Sequence, residues 1–177
     1  MGDVRTALEG AVAYLSEHPE EARYTDSEAT ATLEEGLRVR VEGPGGLSVV
    51  TDMPQGVGGG GAGPSPGWLL RAALAACQAT FIAMQAARDG VTLEALSVTV
   101  DSESDDRGVL GMDPSVPAGP LSVRVRVNAE AGGGDVESLV RTAAERCPVF
   151  DAVSRAVPMR LEVEPEQAPG MEGASGG

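Results

Sequence analysis

The side chains of this chain best suited to covalent or metal chemistry are two thiols, Cys77 and Cys147, and one imidazole, His18. A structural zinc site wants four ligands at short spacings, and no stretch supplies them. A Ser–His–Asp arrangement would depend entirely on His18. That residue sits in the polar run Ser16-Glu17-His18-Pro19-Glu20-Glu21 and reads as a solvated loop residue. No metal and no cofactor is expected, and any covalent step falls to the thiols. Only a thiolate is an effective nucleophile, so the surroundings of each cysteine decide its use. Cys77 falls in an apolar segment, where a small inert hydrophobe is one reading. Cys147 precedes Pro148, which favours a new helix start. Unpaired N–H groups and the helix dipole at such a start favour a thiolate. Either a reactive Cys147 or a partner for Cys77 fits. A separation of 70 positions does not say whether the two meet.

The element that must position Cys77 runs over residues 65–90, SPGWLLRAALAACQATFIAMQAARDG. Ser65 is a good N-cap, Pro66 suits the first helical position and Gly90 supplies a left-handed stop. Alanine and leucine dominate between those ends. Arg71, Gln78 and Gln85 recur every seven residues and form one narrow polar stripe, with Arg88 close by. The rest of the cylinder is apolar or small, so it must be covered nearly all round. At ~1.5 Å per residue the helix is roughly 34 Å long, as long as a small domain is wide. It is expected to run through the centre of the fold. A membrane span is the rival reading. The alanine content, the interruptions at Arg71 and Gln78 and the missing basic flank argue against it.

Before this helix, Val4, Leu8, Ala11, Val12 and Leu15 have helical spacing, with Asp3 as a cap. From Thr25 the period changes to two. Ala29, Ala31 and Leu33, then Leu37, Val39 and Val41, then Leu47, Val49 and Val50 mark three strands. Gly36 and Gly43-Pro44-Gly45-Gly46 stand at the turns. This predicts an antiparallel meander with one wet face. The glycine-rich residues 54–63 lack the Gly-Lys-Ser/Thr of a phosphate loop and read as a connection. After the long helix, Leu96, Val98 and Val100 pair with Leu121, Val123, Val125 and Val127 as a long-looped hairpin around a polar excursion. Asp135 caps a helix carrying Val136, Leu139, Val140 and Ala143, and Cys147-Pro148 breaks it. Val149, Phe150 and Val153 suggest a short further helix. Met159, Leu161 and Val163 predict a last strand, and the Pro- and Gly-rich residues beyond it predict disorder.

The chain carries 13 basic and 27 acidic residues, a formal net charge of −14. Nucleic acid and anionic membrane surfaces would be repelled. No secretory signal is visible, so a soluble, cytoplasmic protein is expected.

The order β-β-β, long helix, β-β, a helix ending in Cys147-Pro148-Val149, then β, together with four short segments, resembles the OsmC/Ohr family, the osmotically inducible and organic hydroperoxide resistance proteins. The segments are Pro54-Gln55-Gly56-Val57-Gly58-Gly59, Ser65-Pro66, Leu74-Ala75-Ala76-Cys77 and Arg146-Cys147-Pro148-Val149. The resemblance implies an α+β fold in which antiparallel sheets wrap a long central helix, assembled as an intertwined homodimer. It divides the chain into an N-terminal helical extension, 1–24, an OsmC-like domain, 25–164, and a disordered tail, 165–177. It also implies a thiol-dependent peroxidase: Cys77 attacks a small-molecule hydroperoxide, Cys147 closes a disulfide on it, and a dithiol reductant restores the pair. Two positions depart from the family pattern. Gly67 stands where peroxidatic members carry a glutamate. Gly36 stands where they carry an arginine that activates the thiol. Arg38, two residues on, is the candidate substitute, and the solvated face of an edge strand is its other reading. Arg71, six residues before Cys77, points to a different helix face. The alternative function is a non-peroxidatic OsmC-like dimer that binds a small molecule near Trp68 and Phe81, or responds to redox state.

Overall fold

The computed structural model describes residues 3–163. Helix α1, Val4–Glu17, is capped by Asp3, whose carboxylate accepts the Arg5 N–H. Strands β1, Thr30–Glu35, β2, Arg38–Glu42, and β3, Ser48–Thr51, form the antiparallel meander that the period-two pattern predicts. Its turns place Gly36 and Gly45 at φ 59° and 68°, the left-handed region open to glycine.

Helix α2, Pro66–Asp89, has the caps read from the sequence. The Ser65 hydroxyl accepts the Trp68 N–H, and Gly90 closes the helix at φ 69°. Strands β4, Leu93–Glu103, and β5, Ser122–Ala131, form a second antiparallel sheet, with Val98 opposite Val127 and Val100 opposite Val125. The loop between them contains a single helical turn, α3, Asp106–Val109. Helix α4, Val136–Ala144, starts at Asp135, whose carboxylate accepts the Ser138 N–H. Helix α5, Pro148–Ser154, starts at Cys147. The fold is α+β, with antiparallel sheets and a long central helix.

One side of α2 packs on β4, α4 and α5, and α1 lies along part of it. The core there is Ile82, Ala86, Leu139 and Ala143, flanked by Leu96, Val98 and Val127. Burying a side chain such as Ile82 stabilises by about 1.5–3 kcal/mol.

Three expectations need correction. First, the polar stripe of α2 lies on its covered side: Gln78 is 2% exposed and Gln85 7%. The open side carries Ala73, Ala76, Thr80 and Ala83 instead. Small residues leave this face shallow, and nothing among the described residues fills it. Second, the meander is not packed against the rest of the chain. All of β1 is exposed, and the sheet makes no substantial contact with α2 or the second sheet. Third, the last strand does not form among the described residues. Met159 and Leu161 are 97% and 90% exposed, and their backbone joins no sheet. Their alternation meets no partner edge among the described residues. The tail, 165–177, lies outside the described residues.

Candidate functional site

The two cysteines are 70 positions apart in sequence and meet in space. The Cys147 S–H donates to Cys77 Sγ at a sulfur–sulfur distance of 3.0 Å, and both thiols are free. Two features bring them together. Helix α2 carries Cys77 at the boundary between its covered and open sides, where it is half-buried. The break between α4 and α5 turns Cys147 inward, where it is 0% exposed. A disulfide needs ~2.05 Å between sulfurs. The sulfurs must come about 1 Å closer to bond.

The surroundings make the pair unequal. Burial pushes the Cys147 thiol above its ordinary range, and the hydrogen bond it donates to Cys77 pushes the same way. The Phe150 and Val149 N–H groups at the start of α5 pull in the opposite direction without prevailing. The helix-start argument for an activated Cys147 is therefore overturned by desolvation. Cys147 stays a neutral donor at physiological pH. The only thiol with an open side is Cys77.

A network that the sequence did not suggest holds this junction. Arg146, next to Cys147, donates from Nη1 to Gln85 Oε1 at 2.7 Å. Gln85 Nε2 donates in turn to the Asp89 carboxylate at 3.0 and 2.9 Å. The start of α5 is thus tied to α2 about two turns beyond Cys77. The seven-residue spacing of Gln78 and Gln85 was the available signal, but their partners lie far along the chain.

Arg38 is not brought to Cys77. Among the described residues no hydrogen bond or ion pair joins them. Arg38 lies instead beside Asp52, and its own Nε is buried without a partner. Asp52 organises the glycine-rich connection by accepting the N–H groups of Met53, Gly60 and Ala62. These bonds, that from Ala62 foremost, hold its carboxyl below the usual carboxylate range. Arg71 donates to Ser102 Oγ at 3.2 Å, away from the thiols.

His18 lies in the loop after α1, as expected, with its side chain 43% exposed. It caps α1, half-buried, with its ring 4.6 Å from that of Tyr14. It lies near Glu20 and Glu21, an exposed set that could hold a cation and is built only of surface groups. Trp68 and Phe81 do not line a common groove among the described residues of one chain. Thirteen residues apart, they sit roughly 140° apart around the helix, and Phe81 packs on the core. A cavity of about 640 Å³ opens instead beside β5, α4 and α5. Its walls include Gln78 and Phe150, close neighbours of the two cysteines, but neither thiol.

This α+β frame carries one cysteine in the long helix and another at a helix start. The family described as OsmC-like protein matches residues 58–162, and the chain belongs to that family. Among solved structures, the organic hydroperoxide resistance protein OsmC of Legionella pneumophila is similar over 74% of this chain and 90% of its own. The sequence identity is 27% and the TM-score 0.55. A putative organic hydroperoxide resistance protein of Vibrio cholerae, with captopril bound in one active site, is 25% identical over 73% of this chain and 86% of its own, TM-score 0.51. The OsmC-like protein of Mycoplasma pneumoniae shares the fold at 16% identity, covering 75% and 89%, TM-score 0.63. No curated protein is significantly similar to the chain in sequence.

Proposed function

We propose that the protein is a cytoplasmic thiol-dependent peroxidase that reduces organic hydroperoxides through Cys77 and Cys147. The observation that carries this reading is the pair itself: two free sulfurs 3.0 Å apart, one half-open and the other buried and protonated. In the first step the Cys77 thiolate attacks the hydroperoxide, breaking its O–O bond. Cys77 becomes a sulfenic acid, and the alcohol leaves after taking a proton. In the second step the Cys147 sulfur attacks Cys77, a disulfide forms and water leaves. A dithiol reductant then exchanges with the disulfide and returns both thiols. No cofactor enters.

The working unit in this reading is a homodimer. Three surfaces support it: the exposed β1 of the meander, the small-residue face of α2 and the unpaired residues 158–163. Arg38 keeps its place as the activator, acting within that dimer, since its own chain leaves its Nε without a partner. The test is the second-order rate of thiol loss with cumene hydroperoxide. The reading requires a rate well above that of free cysteine, and an equal rate sinks it.

A second reading, a redox-responsive or small-molecule-binding OsmC-like dimer, is favoured by one observation. No carboxylate stands at Gly67, and among the described residues no arginine hydrogen-bonds Cys77. In that case the disulfide forms slowly and serves as a signal or a structural lock.

A further inference from the structure

Arg71 differs from most arginines of this chain. Among the described residues eight arginines pair with a carboxylate within 4.0 Å, and Arg71 does not. It is half-buried, and its one side-chain bond is to the neutral Ser102 hydroxyl at 3.2 Å. A guanidinium carries five donors in a planar fork suited to a carboxylate. Ser102 takes one of these donors; the others meet no protein acceptor among the described residues and stay accessible to solvent or to a ligand. The chain has 27 acidic residues against 13 basic ones, so an unpaired, partly desolvated cation is not the result of scarce carboxylates.

Arg71 lines a cleft of about 140 Å³. Ser102, which Arg71 holds by a hydrogen bond, and Ser104 are its other polar lining residues. Leu70, Leu74, Val123 and Val153 make the apolar walls. Gly67 also lines the cleft, and a Cβ added there would lie 3.8 Å from Arg71 Nη1, an ordinary contact, so the position accepts a side chain. The cleft adjoins the first turn of α2, whose dipole favours negative charge. A cavity of about 150 Å³ holds a benzene ring in an engineered protein. A second cavity, of about 360 Å³, shares Leu74, Val123 and Val153 with this one and gives room for a longer body.

From this geometry we infer that the Arg71 cleft is a binding site for a small organic carboxylate. The guanidinium takes the carboxylate through paired N–H bonds, the Ser102 and Ser104 hydroxyls donate to its remaining lone pairs, and the apolar body lies against Leu70 and Leu74. The site makes no use of the thiols, so it stands or falls separately from the peroxidase reading. A bidentate guanidinium bond is stronger than a neutral one, so charge recognition here is worth roughly tenfold or more in affinity.

The test is calorimetric titration of the full chain, in its solution assembly, with benzoate and hexanoate, and with benzyl alcohol and hexanol as neutral counterparts. Both carboxylates bind at least roughly tenfold tighter than the alcohols, and added salt narrows the gap. In Arg71→Gln the gap closes while the weak binding of the alcohols persists, which shows that the variant is folded. In Gly67→Glu an internal carboxylate, one helical turn before Arg71, takes the guanidinium and abolishes carboxylate binding. Equal binding of acid and alcohol, or discrimination that survives Arg71→Gln, overturns the inference. So does the absence of carboxylate binding, the result expected if a second copy's carboxylate already occupies Arg71.

Discussion

Replacing Cys147 by serine removes the second sulfur with little change in volume at a site that is 0% exposed. In the wild-type chain a sulfenic acid on Cys77 forms with the Cys147 sulfur already 3.0 Å away. Well-oriented intramolecular groups reach effective molarities of about 10⁵ M at the low end, so against ~1 mM external thiol the internal one is favoured by roughly 10⁸. Only the thiolate attacks, and the raised Cys147 pKa takes back part of this advantage. Even a thousandfold loss to protonation leaves about 10⁵. Wild-type Cys77 sulfenic acid is therefore too short-lived to trap, whereas in Cys147→Ser it persists. The assay is oxidation with one equivalent of cumene hydroperoxide in the presence of dimedone, followed by mass analysis of the Cys77 peptide. The wild-type chain yields disulfide and almost no adduct, and Cys147→Ser yields adduct or further oxidation products. Equal adduct yields in the two proteins would refute the role of Cys147.

Gln85→Leu removes the acceptor for Arg146, loosening the hold on the α5 start. It slows disulfide closure about tenfold while leaving the first oxidation of Cys77 unchanged, and stopped-flow separation of the two steps reads the split. Ile82→Ala hollows the core under α2 and costs about 2–5 kcal/mol in urea unfolding, and a loss below about 1 kcal/mol would contradict its placement. The pH dependence follows from the raised pKa of Cys147. The unfolded thiol ionises near 9.0 and the folded one above it. This thiol's contribution to stability is thus intact below that pH and is lost as pH rises through the folded value. Iodoacetamide correspondingly labels Cys77 first at pH 7–8.

Much of this fold follows from local rules. Ser65, Pro66 and Gly90 delimit α2 because capping depends on neighbours in sequence. The meander and the second sheet are visible because alternation survives without knowing the partner strand. The covered side of α2 was not visible. Gln78 and Gln85 look like a wet stripe, and only Arg146, 61 positions further on, shows why Gln85 is buried. The pairing of residues 158–163 failed for a related reason: period two says that a segment can be a strand, not that an edge is available. At the site, a helix start before Pro148 was readable, but the desolvation that reverses its effect on Cys147 belongs to tertiary packing. The meeting of Cys77 and Cys147 followed from no spacing and came only with the family resemblance. Arg38 shows the limit of that resemblance, since its own chain leaves it beside Asp52.

The central claim is most directly tested by peptide mapping after stoichiometric oxidation of the wild-type chain with an organic hydroperoxide. The account predicts one product, a disulfide joining Cys77 to Cys147 of the same chain, formed with loss of both free thiols and reversed by a dithiol. Thiols that survive the oxidant, or a bond joining cysteines of two chains, would contradict it.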